Sequence, residues 1–229
     1  MTLAIAQELI CIPLPDGGSL AAELFYPETG QPRSATLLCN PHPYMGGTMG
    51  NPLITAIAHA LAASGGLALR FDYSGVGQST GAPVSVAESM AAFWATGRAP
   101  LDPVCIDNAR TAAEYLAQMA DQSVCLAGYS FGAFVANELA RPATPALAFI
   151  APTLRQHTLS GGSAQTRVLT VYSDNDFATP VSVTEQWLST LSPPCRTLFL
   201  PGGDHFFKGQ EARVADACSD LINGSEENP

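Results

Sequence analysis

Strand-like and helix-like segments alternate along almost the whole chain, and this alternation limits its fold more than any other feature. The apolar runs "ATLLCN", "LALRFDY", "VCLAGY", "ALAFIAP", "RVLTVYS" and "RTLFLPG" each have strand length. Between them lie "NPLITAIAHALAASG", "DNARTAAEYLAQMA", "FGAFVANELA" and "VTEQWLSTL", and "EARVADACSDLIN" follows the last run. In these segments the apolar positions recur every three or four residues, so one stripe of each helix can face a sheet. Strands separated by helices predict an α/β protein whose sheet is mostly parallel. Two opening runs, "ELICIPL" and "LAAELFYP", have no helix between them and are expected to pair antiparallel, for eight strands in all. At 229 residues and 47% hydrophobic content, the chain is long enough for one sizeable domain, residues 1–229.

One segment breaks the rhythm. Ala82 to Pro103, "APVSVAESMAAFWATGRAPLDP", combines proline-rich ends with a short amphipathic piece carrying Met90, Phe93 and Trp94. It reads as a lid-like insertion near the carboxyl edge of the sheet, where α/β proteins take ligands. Phe93 and Trp94 are its candidate substrate-contacting residues. The competing reading makes them ordinary core, the usual place for aromatics.

In "VCLAGYSFGAFVANEL", Ser130 stands between Gly128 and Gly132 where a strand turns at once into a helix. A Gly-x-Ser-x-Gly turn of this kind leaves the serine hydroxyl exposed at the strand tip. Two further polar residues follow strands: Asp176 in "SDNDFATP" and His205 in "GGDHFF". A serine hydroxyl needs a histidine to accept its proton, and the histidine needs a carboxylate to fix its tautomer. Ser130, His205 and Asp176 supply those parts. Asp174 competes with Asp176 if the strand ends earlier, and Asp204 sits beside His205.

The order nucleophile, acid, histidine, each just beyond a strand, resembles the α/β-hydrolase fold over nearly the whole chain. "NPHPYMGGTMGN" followed by "RFDYSGVGQSTG" is similar, more narrowly, to the small bacterial serine hydrolases that lack the usual cap. That group typically carries His-Pro-His-Pro before the Gly-Gly-Thr-Met run, and this chain has Asn40 in place of the first histidine. The resemblance implies an oxyanion hole made by the Phe131 N–H and one amide of the loop after "ATLLCN". Pro41 and Pro43 have no N–H, so His42 is preferred and Tyr44 is the alternative. The side chains of His42 and Tyr44 are expected to line the pocket.

A serine nucleophile with such a hole performs acyl transfer. The expectation is a hydrolase that cleaves a small-molecule carboxylic ester through an acyl-enzyme. A thioesterase or acyltransferase is the alternative, and a binding protein that kept the fold without catalysis is the third reading. No cofactor or metal is expected, because no His or Cys stands at ligand spacing near His42. Gly75-Val76-Gly77 reads as a tight turn, since no further glycine completes a dinucleotide fingerprint. His59 reads as structural and His157 as a loop residue.

The chain has 10 basic against 20 acidic residues, a net charge of −10, with Lys208 its only lysine. A surface of that sign repels phosphate backbones and offers no polybasic membrane patch, so neither nucleic acid nor membrane is an expected partner. The N-terminus has no signal-peptide pattern and no apolar run is long enough for a membrane helix, which predicts a cytoplasmic protein. The six cysteines show no C-x-x-C pairing and read as buried small hydrophobes.

Overall fold

The computed structural model describes residues 3–96, 101–191 and 195–224. Eight strands form one sheet: β1 (Ile5–Pro13), β2 (Ser19–Pro27), β3 (Ala35–Cys39), β4 (Leu67–Phe71), β5 (Val124–Tyr129), β6 (Ala146–Ile150), β7 (Arg167–Asn175) and β8 (Arg196–Asp204). Their order in the sheet is β1-β2-β4-β3-β5-β6-β7-β8. The first two strands are antiparallel to each other, β2 is antiparallel to β4, and all later pairings are parallel. The expected eight-stranded, mostly parallel α/β sheet is therefore present.

Side chains on a strand alternate between faces, and the central strands separate two cores on that rule. Leu37 of β3 and Leu126 of β5 face one core, together with Phe149 of β6. Leu38, Cys125 and Ala127 face the other. The first core is covered by α3 (Asp102–Ala120) and α4 (Phe131–Leu139), with Trp187 of α5 (Val181–Leu188) edge-on to Phe149 at 5.5 Å. The second is covered by α1 (Pro52–Ala63) and α6 (Glu211–Asn223). Leu37, Leu38 and Phe149 are fully buried. Each such side chain is worth about 1.5–3 kcal/mol relative to exposure.

Local chemistry sets where these helices begin. Asn51 caps α1, its side chain accepting from the amides of Leu53 (3.0 Å) and Ile54 (3.3 Å), with Pro52 at the first helical position. Ser130 occupies the cap position of α4 but makes no side-chain capping bond, which keeps its hydroxyl free for another partner.

The insertion departs from expectation at one boundary. Its middle forms α2 (Val86–Thr96), but its last residues are already helical, because α3 begins at Asp102 rather than near Asp107. Residues 97–100, including Pro100, lie outside the described residues. No described side chain of α2 is buried and Trp94 is 74% exposed, so the reading of this segment as core is overturned. A short amphipathic helix cannot reach the sheet where α3 and α4 already cover it. Instead α2 packs on the short turn Pro43–Met45.

Cys39, Cys105, Cys125 and Cys218 are buried as expected, whereas Cys11, on edge strand β1, is exposed and Cys195 only partly covered. Burial pushes the Cys125 thiol up to about 11 and those of Cys105 and Cys218 to about 12, so all three stay protonated at neutral pH. Among the described residues, no helix is long and apolar enough to cross a membrane.

Candidate active site

Ser130 sits at the end of β5 with φ 58° and ψ −119°, a strained conformation for a residue with a side chain. The surroundings impose it. Its amide donates to Ile150 O at 2.8 Å, and its carbonyl accepts from Ala133 N at 3.0 Å. A Cβ at Gly128 would lie 2.0 Å from Gly132 O, and one at Gly132 would lie 2.0 Å from Cys39 O. Only glycine allows α4 to start this close to its own strand and to the end of β3.

The strained turn aims the hydroxyl at His205. Ser130 Oγ is 2.9 Å from His205 Nε2, and His205 Nδ1 is 2.9 Å from each carboxylate oxygen of Asp176. A carboxylate can only accept, so Nδ1 carries the hydrogen and Nε2 is left free to accept from Ser130. Asp176 also accepts from the amides of Ala178 (2.7 Å) and Thr179 (3.2 Å), which fixes its plane. The side chains of His205 and Asp176 are only 5% and 3% exposed, so little water competes for these bonds. Tyr129 donates to His205 O at 2.9 Å from beneath, anchoring the histidine loop.

The other acids are occupied elsewhere. Asp174 accepts from Gly202 N at 2.8 Å and Asp204 from Phe206 N at 2.9 Å. Of the carboxylates weighed in the sequence, Asp176 is the one that reaches His205.

Because Ser130 does not cap α4, the first amides of that helix remain open, and Phe131 N–H is the nearest to the hydroxyl in the chain. The loop after β3 approaches the same point, since Gly132 abuts Cys39 O and the ring of His42 stands 4.4 Å from that of Phe131. Tyr44 N–H is already committed, donating to His42 Nδ1 at 3.0 Å. Among the described residues, no acceptor takes the amide of His42 or of Phe131. The Tyr44 amide is thereby occupied, while its buried ring packs edge-on to His42 at 4.6 Å.

The two motifs flanking this loop hold each other in place. Asp72 Oδ1 accepts from Met49 N at 2.6 Å, and Arg70 donates to Met49 O at 2.7 Å while pairing with Glu23. Burial raises the Asp72 carboxyl above its ordinary value, against the Met49 amide and Arg70, which lower it. Asn40 is fully buried: it donates to Phe71 O, and its own carbonyl accepts from Tyr73 at 3.3 Å. It stitches β3 to β4.

Several neighbours were not expected. Asp102, at the first turn of α3, is 3.0 Å from His42 Nε2 and 3.8 Å from His157 Nε2. Burial acts to raise the Asp102 carboxyl, but His157 and His42 together outweigh it and hold it below its ordinary value. His157 is a loop residue as expected, yet its ring stacks on Phe134 at 4.1 Å. In sequence Asp102 falls in the proline-rich end of the insertion, and nothing marks its histidine partners. Phe177 and Phe206, 70% and 60% exposed, flank the His205 ring at 4.8 and 5.7 Å. His59 is indeed structural, edge-on to Phe25 at 5.0 Å. The rings of Phe93 and Trp94 lie 5.7 Å apart on α2, the helix that packs on the Pro43–Met45 turn.

The X-Pro dipeptidyl-peptidase (S15 family) model matches residues 16–191, a span that contains Ser130 and Asp176 and ends before His205. No curated protein sequence matches the chain. Among solved structures, the chain is similar to an α/β serine hydrolase without a lid from Xanthomonas campestris, with TM-score 0.78, 23% identity and 100% of both chains covered. It is also similar to an α/β serine hydrolase homologue from Coxiella burnetii, with TM-score 0.77, 24% identity, 93% of this chain covered and 95% of that one. A ferulic-acid-bound protein from Butyrivibrio proteoclasticus matches at TM-score 0.72 and 19% identity, covering 93% of this chain and 97% of that one. At these identities the likeness carries the fold, which is that of the α/β hydrolases.

Proposed function

The chain belongs to the X-Pro dipeptidyl-peptidase (S15) family and is a serine hydrolase; from that premise we propose that it cleaves carboxylic esters through an acyl-enzyme on Ser130. The observation that carries this reading is the run of bonds from Ser130 through His205 to Asp176, with the tautomer of His205 set for proton acceptance. His205 takes the Ser130 proton as Oγ attacks the ester carbonyl, and Asp176 stabilises the imidazolium that forms. The amides of Phe131 and His42 receive the developing oxyanion, aided by the positive end of α4. His205 then hands the proton to the departing alkoxide, and water enters by the same route to release the acid.

The rim supports an apolar substrate. Met45, Trp94, Phe177 and Phe206 are all large apolar residues at least half exposed, placed on or next to the elements that carry the site. Met45 and Trp94 belong to the packed turn and α2, and Phe177 and Phe206 stand 5.8 Å apart beside His205; exposed apolar surface of this kind marks a contact site for something apolar. In this reading α2 acts as a small lid over the Pro43–Met45 turn.

The family description favours a second reading, in which the bond cleaved is the amide after an X-Pro dipeptide. A thioester would meet the same chemistry at Ser130. A fluorophosphonate label at Ser130 tests the nucleophile. Initial rates on p-nitrophenyl esters, acyl thioesters and an X-Pro p-nitroanilide then rank the three. Ester turnover is expected to dominate, and faster cleavage of the X-Pro anilide would replace the esterase reading.

A further inference from the structure

Asp102 lies in no strand–loop–helix motif of the site, yet it draws residues from two separate loops, His42 and His157, around Phe131. On one side, His42 Nε2 is 3.0 Å from Asp102 Oδ1. His42 Nδ1 accepts from the Tyr44 amide, and a backbone amide can only donate, so His42 is neutral with its hydrogen on Nε2, pointing at the carboxylate. On the other side, His157 Nε2 is 3.8 Å from Asp102 Oδ2, while His157 Nδ1 pairs with Thr153 Oγ1 at 2.9 Å.

Both imidazoles touch the residue after Ser130. The rings of His42 and His157 stand 4.4 and 5.7 Å from that of Phe131, each edge-on, and His157 is further fixed by its stack on Phe134. One carboxylate thus braces two rings that bracket Phe131. A helix-start acid acting only on the helix dipole would point to solvent, whereas the Asp102 side chain is only 27% exposed and is turned toward the two histidines.

We propose that Asp102 is the positioning residue of the oxyanion hole: it holds His42 and His157 against Phe131 and so sets the spacing of the two open amides, those of His42 and Phe131. It also ties the start of α3, and with it the end of the insertion, to that spacing. Donor placement matters because a hole aligned on the tetrahedral oxygen, not on the ground-state carbonyl, lowers the barrier. The proposal rests on the hydrolase reading above, and its test separates the two.

The experiment compares wild type, Asp102→Ala, Asp102→Asn and His157→Phe by kcat, KM and melting temperature on one p-nitrophenyl ester. It also measures inhibition by a trifluoromethyl ketone, which forms an oxyanion on Ser130, and by the matching methyl ketone, which does not. Asp102→Ala is expected to lower kcat and to weaken the trifluoromethyl ketone in parallel, by roughly 10- to 100-fold, against about 10²–10³ for loss of a whole donor. KM and the methyl ketone should change less than about threefold. Asp102→Asn keeps an acceptor for His42 and should fall between wild type and alanine, as should His157→Phe, which keeps the stack on Phe134. Equal weakening of both ketones, or losses that follow melting temperature alone across the three variants, overturns the proposal and leaves Asp102 structural. Wild type that neither takes a fluorophosphonate label nor binds the trifluoromethyl ketone overturns the hydrolase reading itself, and this proposal with it.

Discussion

Ser130 Oγ and His205 Nε2 lie 2.9 Å apart although 75 residues separate them in the chain. The contact exists because β5 and β8 run the same way in one sheet, so their carboxyl ends open on one edge. The hydroxyl is not a spare cap for α4 but the end of a hydrogen-bonded run that finishes at Asp176. Ser130→Ala should therefore leave the fold and melting temperature nearly unchanged while abolishing fluorophosphonate labelling. Its kcat should fall by about 10⁴–10⁶. Steady-state kinetics with active-site titration checks this, and near-normal turnover would end the esterase reading.

Asp176 and Asp174 differ by what they hold. Asp176 reaches His205 Nδ1, while Asp174 holds the Gly202 amide. Asp176→Asn should lower kcat by about 10⁴, because an amide facing Nδ1 favours the wrong imidazole tautomer. Asp174→Asn, which keeps an acceptor for Gly202, should cost less than about threefold. Parallel kinetics on the two variants gives the ranking, and the reverse order would move the acid to Asp174.

The elbow has no room for a side chain at Gly132, where a Cβ would sit 2.0 Å from Cys39 O and 2.7 Å from Asn40 O. Both obstacles are backbone at the buried end of β3, so neither can rotate away. Gly132→Ala should destabilise the protein by about 3 kcal/mol or more, at the upper end of overpacking effects. Denaturant unfolding reads it directly. Gly202→Ala, with open space around its Cβ but a φ of 74°, should cost only about 1 kcal/mol.

Acid stability should carry the mark of Asp102. Its folded carboxyl is held below its ordinary value by His157 and His42 against the upward push of burial, with the Cys105 thiol also facing it from α3. The stability this contributes is present above the unfolded carboxylate pKa of about 3.9 and is lost as pH falls through the lower folded value. The melting-temperature gap between wild type and Asp102→Asn should therefore be smaller below about pH 4 than at about pH 5. A gap that widens in acid would mean the carboxylate is not stabilised by its histidines.

Exposure of the rim residues predicts which esters they serve. Phe93→Ala and Trp94→Ala should raise KM for long-chain esters more than for acetate esters, with little change in melting temperature, since α2 buries none of its described side chains. Equal effects across chain lengths would place the acyl group elsewhere, for instance along Phe177 and Phe206.

The residues alone were enough for the architecture, because periodicity is a local property. Runs such as "VCLAGY" alternate faces and segments such as "DNARTAAEYLAQMA" carry an apolar stripe, and no distant partner is needed to see either. The elbow was legible for the same reason: Gly128, Ser130 and Gly132 must be small, polar and small within five residues. Asp176 and Asp174 were not separable in that way, since they stand two residues apart at the end of one strand-like run and only the register of β7 against β8 decides which one meets His205. The bond that occupies the Tyr44 amide, from Tyr44 N to the His42 ring, is likewise one that no spacing encodes. Asp102 shows the limit most clearly. In the sequence it falls in the proline-rich end of the insertion, before the expected helix. Its contact with His42, 60 residues away, arises because α3 folds back over the loop after β3. Patterns within a helix or strand are set by bonds between near neighbours and survive in the sequence. Contacts between elements depend on how whole faces pack, and only the tertiary structure decides them.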